Sequence, residues 1–390
     1  MKILHVGPVK PARSATGVAQ SIRGFVLAQA AIGLKVELLS SSPLPQGKSI
    51  EELPGVHMLE GLRRRHYNPW LISQGWITRI QTELGTPDLV NFHSVYTSFH
   101  VALARRCRRL GWPYIITPHG GMTYLAQNVK RTKKSFANFL YFRAYVRHAT
   151  AIHALCPREA EEIQSLFDVK KIIIAPNGVD DYLLEAAKKL SPADLGDFGH
   201  EGDLVLGFVG RIDIYHKGLD MLLKAMAILK SQFNGLRCKL FVIGPFYTKR
   251  DKQSFHSALE SLGLRNNVKI LGPKYDEEKL RYFLACDVFV HTSRFEGMPM
   301  AVIEAMALGR PCLVTPGTNT ADVVHQGGGW VCEGNPKSIA EAIKSIYEKR
   351  DFLEALGQQS RELIKSQFTW HKVTQQLKVE YSKILDQANY

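Results

Sequence analysis

Short apolar runs alternate with longer amphipathic stretches from one end of the chain to the other. Runs of this length, rich in Val, Ile and Leu and closed by polar turns, predict buried strands. The amphipathic stretches between them predict helices, the pattern of βα units feeding a parallel sheet. In the first half the predicted strands are 3–7, 35–40, 88–92, 114–118, 150–155 and 171–175. The pattern then starts again, with strands at 204–210, 238–243, 268–271, 287–292 and 312–314. Helical segments follow near 217–231, 251–262, 276–285, 299–308, 336–347, 350–366 and 370–386. Between 177 and 203 an Asn-Gly, a Ser-Pro and several glycines read as a linker. The expected organisation is thus α/β: a Rossmann-like doubly wound domain over 1–180, a linker over 181–203 and a second such domain over 204–369. Sheets of this kind bind ligands beyond the carboxyl ends of their strands, so chemistry is sought in the residues that follow strands.

Composition narrows the class without changing it. A chain of 390 residues with 45% hydrophobic and 22% charged residues and a mean hydropathy of −0.12 is ordinary globular material, which sets disordered and low-complexity classes aside. The net charge of +14 is uneven. The stretch 101–150 carries Arg105, Arg106, Arg108, Arg109, Lys130, Arg131, Lys133, Lys134, Arg143 and Arg147 and no acidic residue. It suits anions, whether acidic lipid head groups, phosphorylated substrates or nucleic acid, or is simply a solvated basic face. The six cysteines (Cys107, Cys156, Cys238, Cys286, Cys312, Cys332) have neither zinc spacing nor close pairing. The start of the chain lacks the apolar core of a signal peptide, and no run approaches the ~18 apolar residues that span a bilayer. The expected location is cytoplasmic, with peripheral contact at an inner membrane face left open.

The densest chemistry follows the strand at 287–292: Ser293-Arg294-Phe295-Glu296-Gly297-Met298-Pro299-Met300-Ala301, running on to Glu304 and Gly309. Pro299 suits a first helical turn, Gly309 a helix end, and Gly297 a close backbone approach, so a helix N-terminus is offered to an anion. Glu304 is an acid within an apolar helix and needs a partner. The plainer alternative is one capping and one solvated glutamate. Arg211 and Lys217 flank the loop after the strand at 204–210 and can converge on a diphosphate, one as a planar fork and the other as a point charge. His119, between Pro118 and two glycines, ends a strand, and His93 ends another as a weaker candidate. The loop from Gly7 through Gly17 to Ala19 has neither the GxGxxG nor the GxxxxGK[ST] pattern, which removes dinucleotide and P-loop readings. Asn177-Gly178-Val179-Asp180 reads as a turn rather than a site.

Glu296 and Glu304 with seven residues between them, the Gly210-Arg211…Lys217-Gly218 pair, His119-Gly120 and Asn177-Gly178-Val179-Asp180 together resemble glycosyltransferase family 4, nucleotide-sugar-dependent retaining enzymes of the GT-B fold. The resemblance implies two Rossmann-like domains facing a cleft, with the helix after Phe368-Thr369-Trp370 returning to pack on the first. It assigns Glu304 to the ribose hydroxyls and Glu296 with the amides of Gly297, Met298, Pro299, Met300 and Ala301 (Pro299 itself lacking an N–H) to the sugar. Arg211 and Lys217 take the diphosphate, His119 the reacting face of the donor sugar, and Gly17 the approach of the first loop to phosphate. Family members often carry paired glycines in that loop, where this chain has Ala15-Thr16-Gly17.

The implied function is retaining transfer of a hexosyl unit, from UDP-hexose in the commonest case, to a glycan or lipid-linked sugar in polysaccharide or glycoconjugate synthesis. Neither metal nor cofactor is expected, since no DxD lies at a strand end beside these residues and two cations can neutralise the leaving diphosphate. Tyr141, Phe142 and Tyr145 around Arg143 either rest on an anionic membrane or form a buried helix face. A nucleotide-sugar epimerase on the same fold is the alternative enzyme. A nucleic-acid-binding protein is a weaker reading, because no RNP-like strand or helix-turn-helix signal accompanies the basic patch.

Overall fold

The computed structural model describes residues 1–9, 16–41, 53–59, 72–200, 202–233 and 236–388. It divides into two compact units, Met1–Gly178 with Trp370–Tyr390, and Val179–Thr369.

The first unit holds a seven-stranded parallel sheet: β1 (Lys2–Gly7), β2 (Lys35–Ser40), β3 (Val56–Leu59), β4 (Leu89–His93), β5 (Tyr114–Thr117), β6 (Ala151–Ala154) and β7 (Ile172–Ile174), in the order β3-β2-β1-β4-β5-β6-β7. Helices cover the sheet, so central strands are buried on both faces and read as continuous apolar runs; all five residues of β4 are buried. His5 of β1 pairs in register with Asn91 of β4, and His93 of β4 with Thr117 of β5, which places polar side chains inside this sheet.

The second unit repeats the plan with six parallel strands, β8 (Leu204–Val209), β9 (Cys238–Ile243), β10 (Val268–Gly272), β11 (Val288–His291), β12 (Cys312–Val314) and β13 (Gly329–Val331), in the order β10-β9-β8-β11-β12-β13. In both sheets the order turns back beside the first strand, β1 next to β4 and β8 next to β11. Doubly wound sheets open toward a ligand at such a point.

Three features depart from the sequence expectation. Strands β3 and β13 were not anticipated: both lie at a sheet edge, β3 is only partly buried and β13 is three residues long. The stretch 181–203 is not a bare linker, because Asp181–Lys189 is a helix that buries Leu183, Leu184 and Ala186 in the second unit. Its apolar residues are too few to stand out beside the glycines that follow. The chain enters the second unit at Val179 and leaves it at Thr369, and these two residues bridge each other.

The helix Trp370–Ala388 packs on the helix Gly17–Ala31 of the first unit. Gly24 makes this contact, since a Cβ there would lie 2.0 Å from the Trp370 indole. Phe25 meets the same indole edge-on at 4.8 Å. Among the described residues no helix is long and apolar enough to cross a membrane.

Candidate active site

In the second unit the chain leaves β11 through Thr292 and Ser293 and enters the helix Met300–Ala307 with Pro299 at its N-cap. Pro299 stops the helix from starting earlier, and Gly309, with φ of +72°, ends it. Glu296 lies in the intervening loop, its side chain 13% exposed. One of its oxygens takes the Lys217 ammonium as counter-charge and accepts the Ser293 hydroxyl at 2.8 Å, with His291 Nε2 at 3.5 Å. Burial works against ionisation of this carboxyl. The Lys217 ammonium, with His291 and His216 beside it, overcomes that cost and holds it well below the usual carboxylate range. Asn319 Nδ2 donates to the Glu296 backbone carbonyl at 2.8 Å, tying the loop from the far side.

Lys217 and Arg211 come from the loop after β8. Asp213 accepts the amides of His216 and Lys217, through its carboxylate at 3.1 Å and its carbonyl at 2.9 Å respectively, and so folds the loop. Gly218 closes it with φ of +64°, where a Cβ would fall 2.0 Å from the Thr292 carbonyl. This glycine therefore brings the β8 loop against the β11 loop, and with it Lys217 to Glu296. His216 stacks on Phe295 at 4.2 Å and bonds its carbonyl at 2.6 Å, a second tie between the loops. The Arg211 guanidinium lies 4.1 Å over the Tyr247 ring and 3.5 Å from Asp213, with its side chain 40% exposed. Two cations with different freedom result, Lys217 committed to Glu296 and Arg211 open to an incoming anion.

Glu304 sits on the buried face of the helix Met300–Ala307 and is 8% exposed. It finds the partner its burial demands in Lys279, whose ammonium is 2.9 Å away. The structure thus brings Arg211, Lys217, Glu296, Gly297, Met298, Pro299, Met300 and Ala301 together at the carboxyl ends of β8 and β11, with Glu304 about one turn into the helix. Lys279 was invisible in sequence, 25 residues before Glu304 on another helix. A depression of about 570 Å³ in this unit, lined among others by Asp203, Asp287, Arg310 and Arg361, lies by the starts of β8 and β11 and includes none of these residues.

In the first unit His119 follows β5 with φ of +51°, a left-handed conformation that costs energy for any residue but glycine. Glu159, fully buried on the helix Pro157–Leu166, holds that loop in place. Its carboxyl accepts the Gly120 amide at 2.6 Å and the Leu155 amide at 2.7 Å, joining the turn after β5 to the end of β6. Burial pushes this carboxyl up to about 7. His93, a weaker candidate in sequence, lies directly behind His119, with His5 behind it (ring nitrogens 3.0 and 2.8 Å apart). His5 and Glu159 were missed. A histidine in the middle of the apolar run of β1 was the available signal. Gly17 opens the helix Gly17–Ala31 after the Thr16 N-cap, and nothing lies within 4 Å of where its Cβ would be. Residues 10–15 of that loop lie outside the described residues. Asn177 accepts the Ser21 hydroxyl at 2.5 Å and Gly178 packs under Trp370, so this segment serves packing.

The basic stretch splits in two. Phe142 and Tyr145 are core residues, so the membrane-resting alternative fails for them. Besides Leu110, the exposed apolar side chains are instead Tyr124, Leu125, Val129, Phe136, Phe139 and Leu140, which lie in sequence around Lys130, Arg131, Lys133 and Lys134. Among the described residues no cluster of three or more His, Cys, Asp or Glu is arranged to hold a metal ion.

Residues 15–182 match the model of Glycosyltransferase Family 4, and residues 192–363 that of Glycosyl transferases group 1. The D-inositol 3-phosphate glycosyltransferase of Stackebrandtia nassauensis is 28% identical over 333 residues, 80% of this chain and 74% of that protein. Among solved structures, sucrose-phosphate synthase from Thermosynechococcus elongatus superposes with a TM-score of 0.79 at 19% identity, covering 99% of this chain and 100% of that one. HepE from Anabaena, in complex with UDP and glucose, superposes with a TM-score of 0.72 at 18% identity over 98% and 99%. With two doubly wound parallel sheets of the GT-B class and family matches across both units, the chain belongs to glycosyltransferase family 4.

Proposed function

We propose that this glycosyltransferase moves a hexosyl unit, with retention, from a nucleotide diphosphosugar, UDP-hexose in the first instance, to a glycan or lipid-linked sugar. The observation that supports this reading best is the joined pair of loops after β8 and β11. An open guanidinium (Arg211), a buried ammonium (Lys217) and an ionised carboxylate (Glu296) meet there beside a helix N-terminus. Breaking a sugar–phosphate bond builds negative charge on the leaving diphosphate and positive charge at the anomeric carbon. Arg211, Lys217 and the amides at the helix start stabilise the first, and Glu296 suits the hydroxyls of the sugar. Glu304, held by Lys279, suits the ribose diol. In this reading the leaving diphosphate is met by the Arg211 guanidinium, by the Lys217 ammonium it shares with Glu296 and by the amides at the helix start, in place of a divalent metal. His119, neutral and in the first unit, takes a hydroxyl rather than a proton transfer role. Front-face attack, with the acceptor proton passing to the leaving phosphate, needs no enzyme nucleophile.

Screening nucleotide sugars for thermal stabilisation identifies the donor, because a ligand of the folded state raises its apparent stability. Turnover is then followed with and without acceptor and with a chelator present. Acceptor-dependent release of nucleoside diphosphate, unchanged by chelator, supports the proposal. Epimerised sugar nucleotide formed without acceptor moves the assignment to an epimerase, and dependence on magnesium or manganese overturns the charge argument. A mobility shift with nucleic acid that persists at moderate salt would favour the binding-protein reading instead.

The inositol 3-phosphate in that relative's name and the basic first unit both support an anionic acceptor or surface. Lys130, Arg131, Lys133 and Lys134 beside exposed Phe136, Phe139 and Leu140 fit an anionic lipid surface, cations for head groups and rings for the acyl boundary.

A further inference from the structure

We propose that the amide of Gln29, acting through His5 and His93, fixes His119 in its Nε2–H form and so turns the Nδ1 lone pair of His119 toward a ligand hydroxyl. Four side chains make a continuous line in the first unit. Gln29 Oε1 lies 2.9 Å from His5 Nε2, His5 Nδ1 lies 2.8 Å from His93 Nε2, and His93 Nδ1 lies 3.0 Å from His119 Nε2. Gln29, His5 and His93 are completely buried. Successive rings are close to coplanar, at 19° for His5 and His93 and 28° for His93 and His119, so each N–H lies near the direction of the next lone pair.

A neutral imidazole carries one donor and one acceptor. A line of neutral rings therefore has only two proton arrangements, every Nε2 protonated or every Nδ1 protonated, because any mixture sets two donors or two lone pairs face to face. The carbonyl oxygen of Gln29 can only accept. It requires the proton on His5 Nε2, which leaves His5 Nδ1 to accept from His93 Nε2–H, and His93 Nδ1 to accept from His119 Nε2–H. One amide thus sets three rings. Burial keeps them neutral, lowering His5 to about 4 and His119 to about 3, and neighbouring imidazoles add repulsion to any charge. Unlike the rings behind it, His119 is only half-buried, and its Nδ1 is the ring nitrogen outside the line. It offers a lone pair, which accepts from an O–H and repels a carboxylate or phosphate oxygen. Gln29, His5 and His93 are positioning residues in this scheme. The clause that the hydroxyl belongs to a bound sugar rests on the function proposed above; the proton arrangement does not.

The test uses the full-length protein with 15N-labelled histidine, read by two-bond proton–nitrogen correlations near neutral pH. His5, His93 and His119 are assigned from single His→Gln variants. The expected wild-type spectrum has all three rings protonated at Nε2. Gln29→Leu, which removes the accepting carbonyl, should spread His119 over both forms, whereas Gln29→Glu, which still accepts, should keep the Nε2–H form. With the chain disarmed by Gln29→Leu, kcat/KM for the sugar nucleotide should fall by about twofold to tenfold, the worth of one hydrogen bond, while affinity for the bare nucleoside diphosphate stays as it was. Protonation of His119 at Nδ1 in the wild type overturns the proposal, and so does a His119 signal unmoved by Gln29→Leu. If that variant does not fold, the wild-type spectrum alone decides. A protein with the expected spectrum that turns over no sugar nucleotide refutes the transferase reading and leaves the proton arrangement standing.

Discussion

Removing the Lys217 ammonium leaves the Glu296 carboxylate buried against a hydroxyl and imidazoles that burial keeps below their ordinary pKa. Lys217→Ala should therefore cost about 3–5 kcal/mol of stability as well as slowing transfer, because an uncompensated buried charge is worse than none. Adding Glu296→Gln should restore most of the urea midpoint and none of the turnover. A double variant as unstable as Lys217→Ala would show that the pair is not the cause. Glu304 separates binding from chemistry. Glu304→Ala should weaken nucleoside diphosphate affinity by about tenfold, from the loss of charged hydrogen bonds to a diol, and leave turnover at saturating donor near that of the wild type. Calorimetric titration checks the first and initial rates the second.

The buried imidazoles also set a pH dependence. His5, His93, His100, His119 and His153 all lie below their ordinary value of 6.5, burial being the main cause, with His5, His100 and His153 near 4 and His119 near 3. The unfolded chain takes up these protons from about pH 6.5 downward and the folded chain does not, so stability falls as the pH drops toward 4, at ~1.4 kcal/mol per pH unit for each group. Glu159 opposes this with one proton: raised to about 7, it favours the folded state below its unfolded value near 4.5 and loses that advantage as the pH rises through 7. His216 and His291 are lowered as well and add to the fall, while Glu37 and Asp287 are raised and oppose it as Glu159 does, so seven imidazoles outweigh three carboxyls. The urea midpoint should drop steeply between neutral pH and pH 5; a flat profile there would mean that these rings are not buried neutral.

At the scale of elements, the contact of the last helix with the first is the most exposed to a small change. Alanine is favoured over glycine in a helix by ~1 kcal/mol, yet a Cβ on Gly24 meets the Trp370 ring at 2.0 Å. The ring cannot retreat easily, since Phe25 lies against it and the backbone of Gly178 lies behind it. Overpacking should win, making Gly24→Ala destabilising by about 1–3 kcal/mol in denaturant unfolding, the reverse of the propensity effect. The inner strands were legible because burial on both faces writes them as mostly apolar runs; 35–40, 238–243 and 312–314 coincide with β2, β9 and β12. Edge strands β3 and β13 were not, since half-exposed residues interrupt the run. Of the candidate site residues, Arg211, Lys217 and Glu296 in the second unit and His119 in the first were legible because each follows a strand. Lys279, Glu159, His5 and Gln29 were not assigned, because they act through contacts between elements distant in sequence, and nothing local records a partner 24 or more residues away.

At the scale of the molecule, the excess of +14 is concentrated where no carboxylate dilutes it, and the same stretch leaves large apolar side chains in water. Phe139 is 84% exposed, Phe136 66% and Leu140 54%, on a helical run that starts at Arg131. A solvated basic face needs no such residues, whereas an interfacial one uses both: burying one Phe side chain contributes about 1.5–3 kcal/mol and each Lys or Arg at an anionic surface about 1 kcal/mol. The two contributions separate by experiment. Phe136→Ser with Phe139→Ser should weaken binding to vesicles rich in anionic lipid by tenfold or more at every salt concentration, through ~1.5 kcal/mol or more of lost burial. Lys133→Gln with Lys134→Gln should weaken it at low salt and little at high salt, where the charges are screened over ~3 Å at 1 M. These variants leave Arg211, Lys217 and Glu296 unchanged, so transfer to a water-soluble acceptor should be unaffected while transfer to an acceptor embedded in the vesicle falls with binding. Vesicle binding that follows charge alone and ignores both phenylalanines would return the stretch to an ordinary solvated basic face.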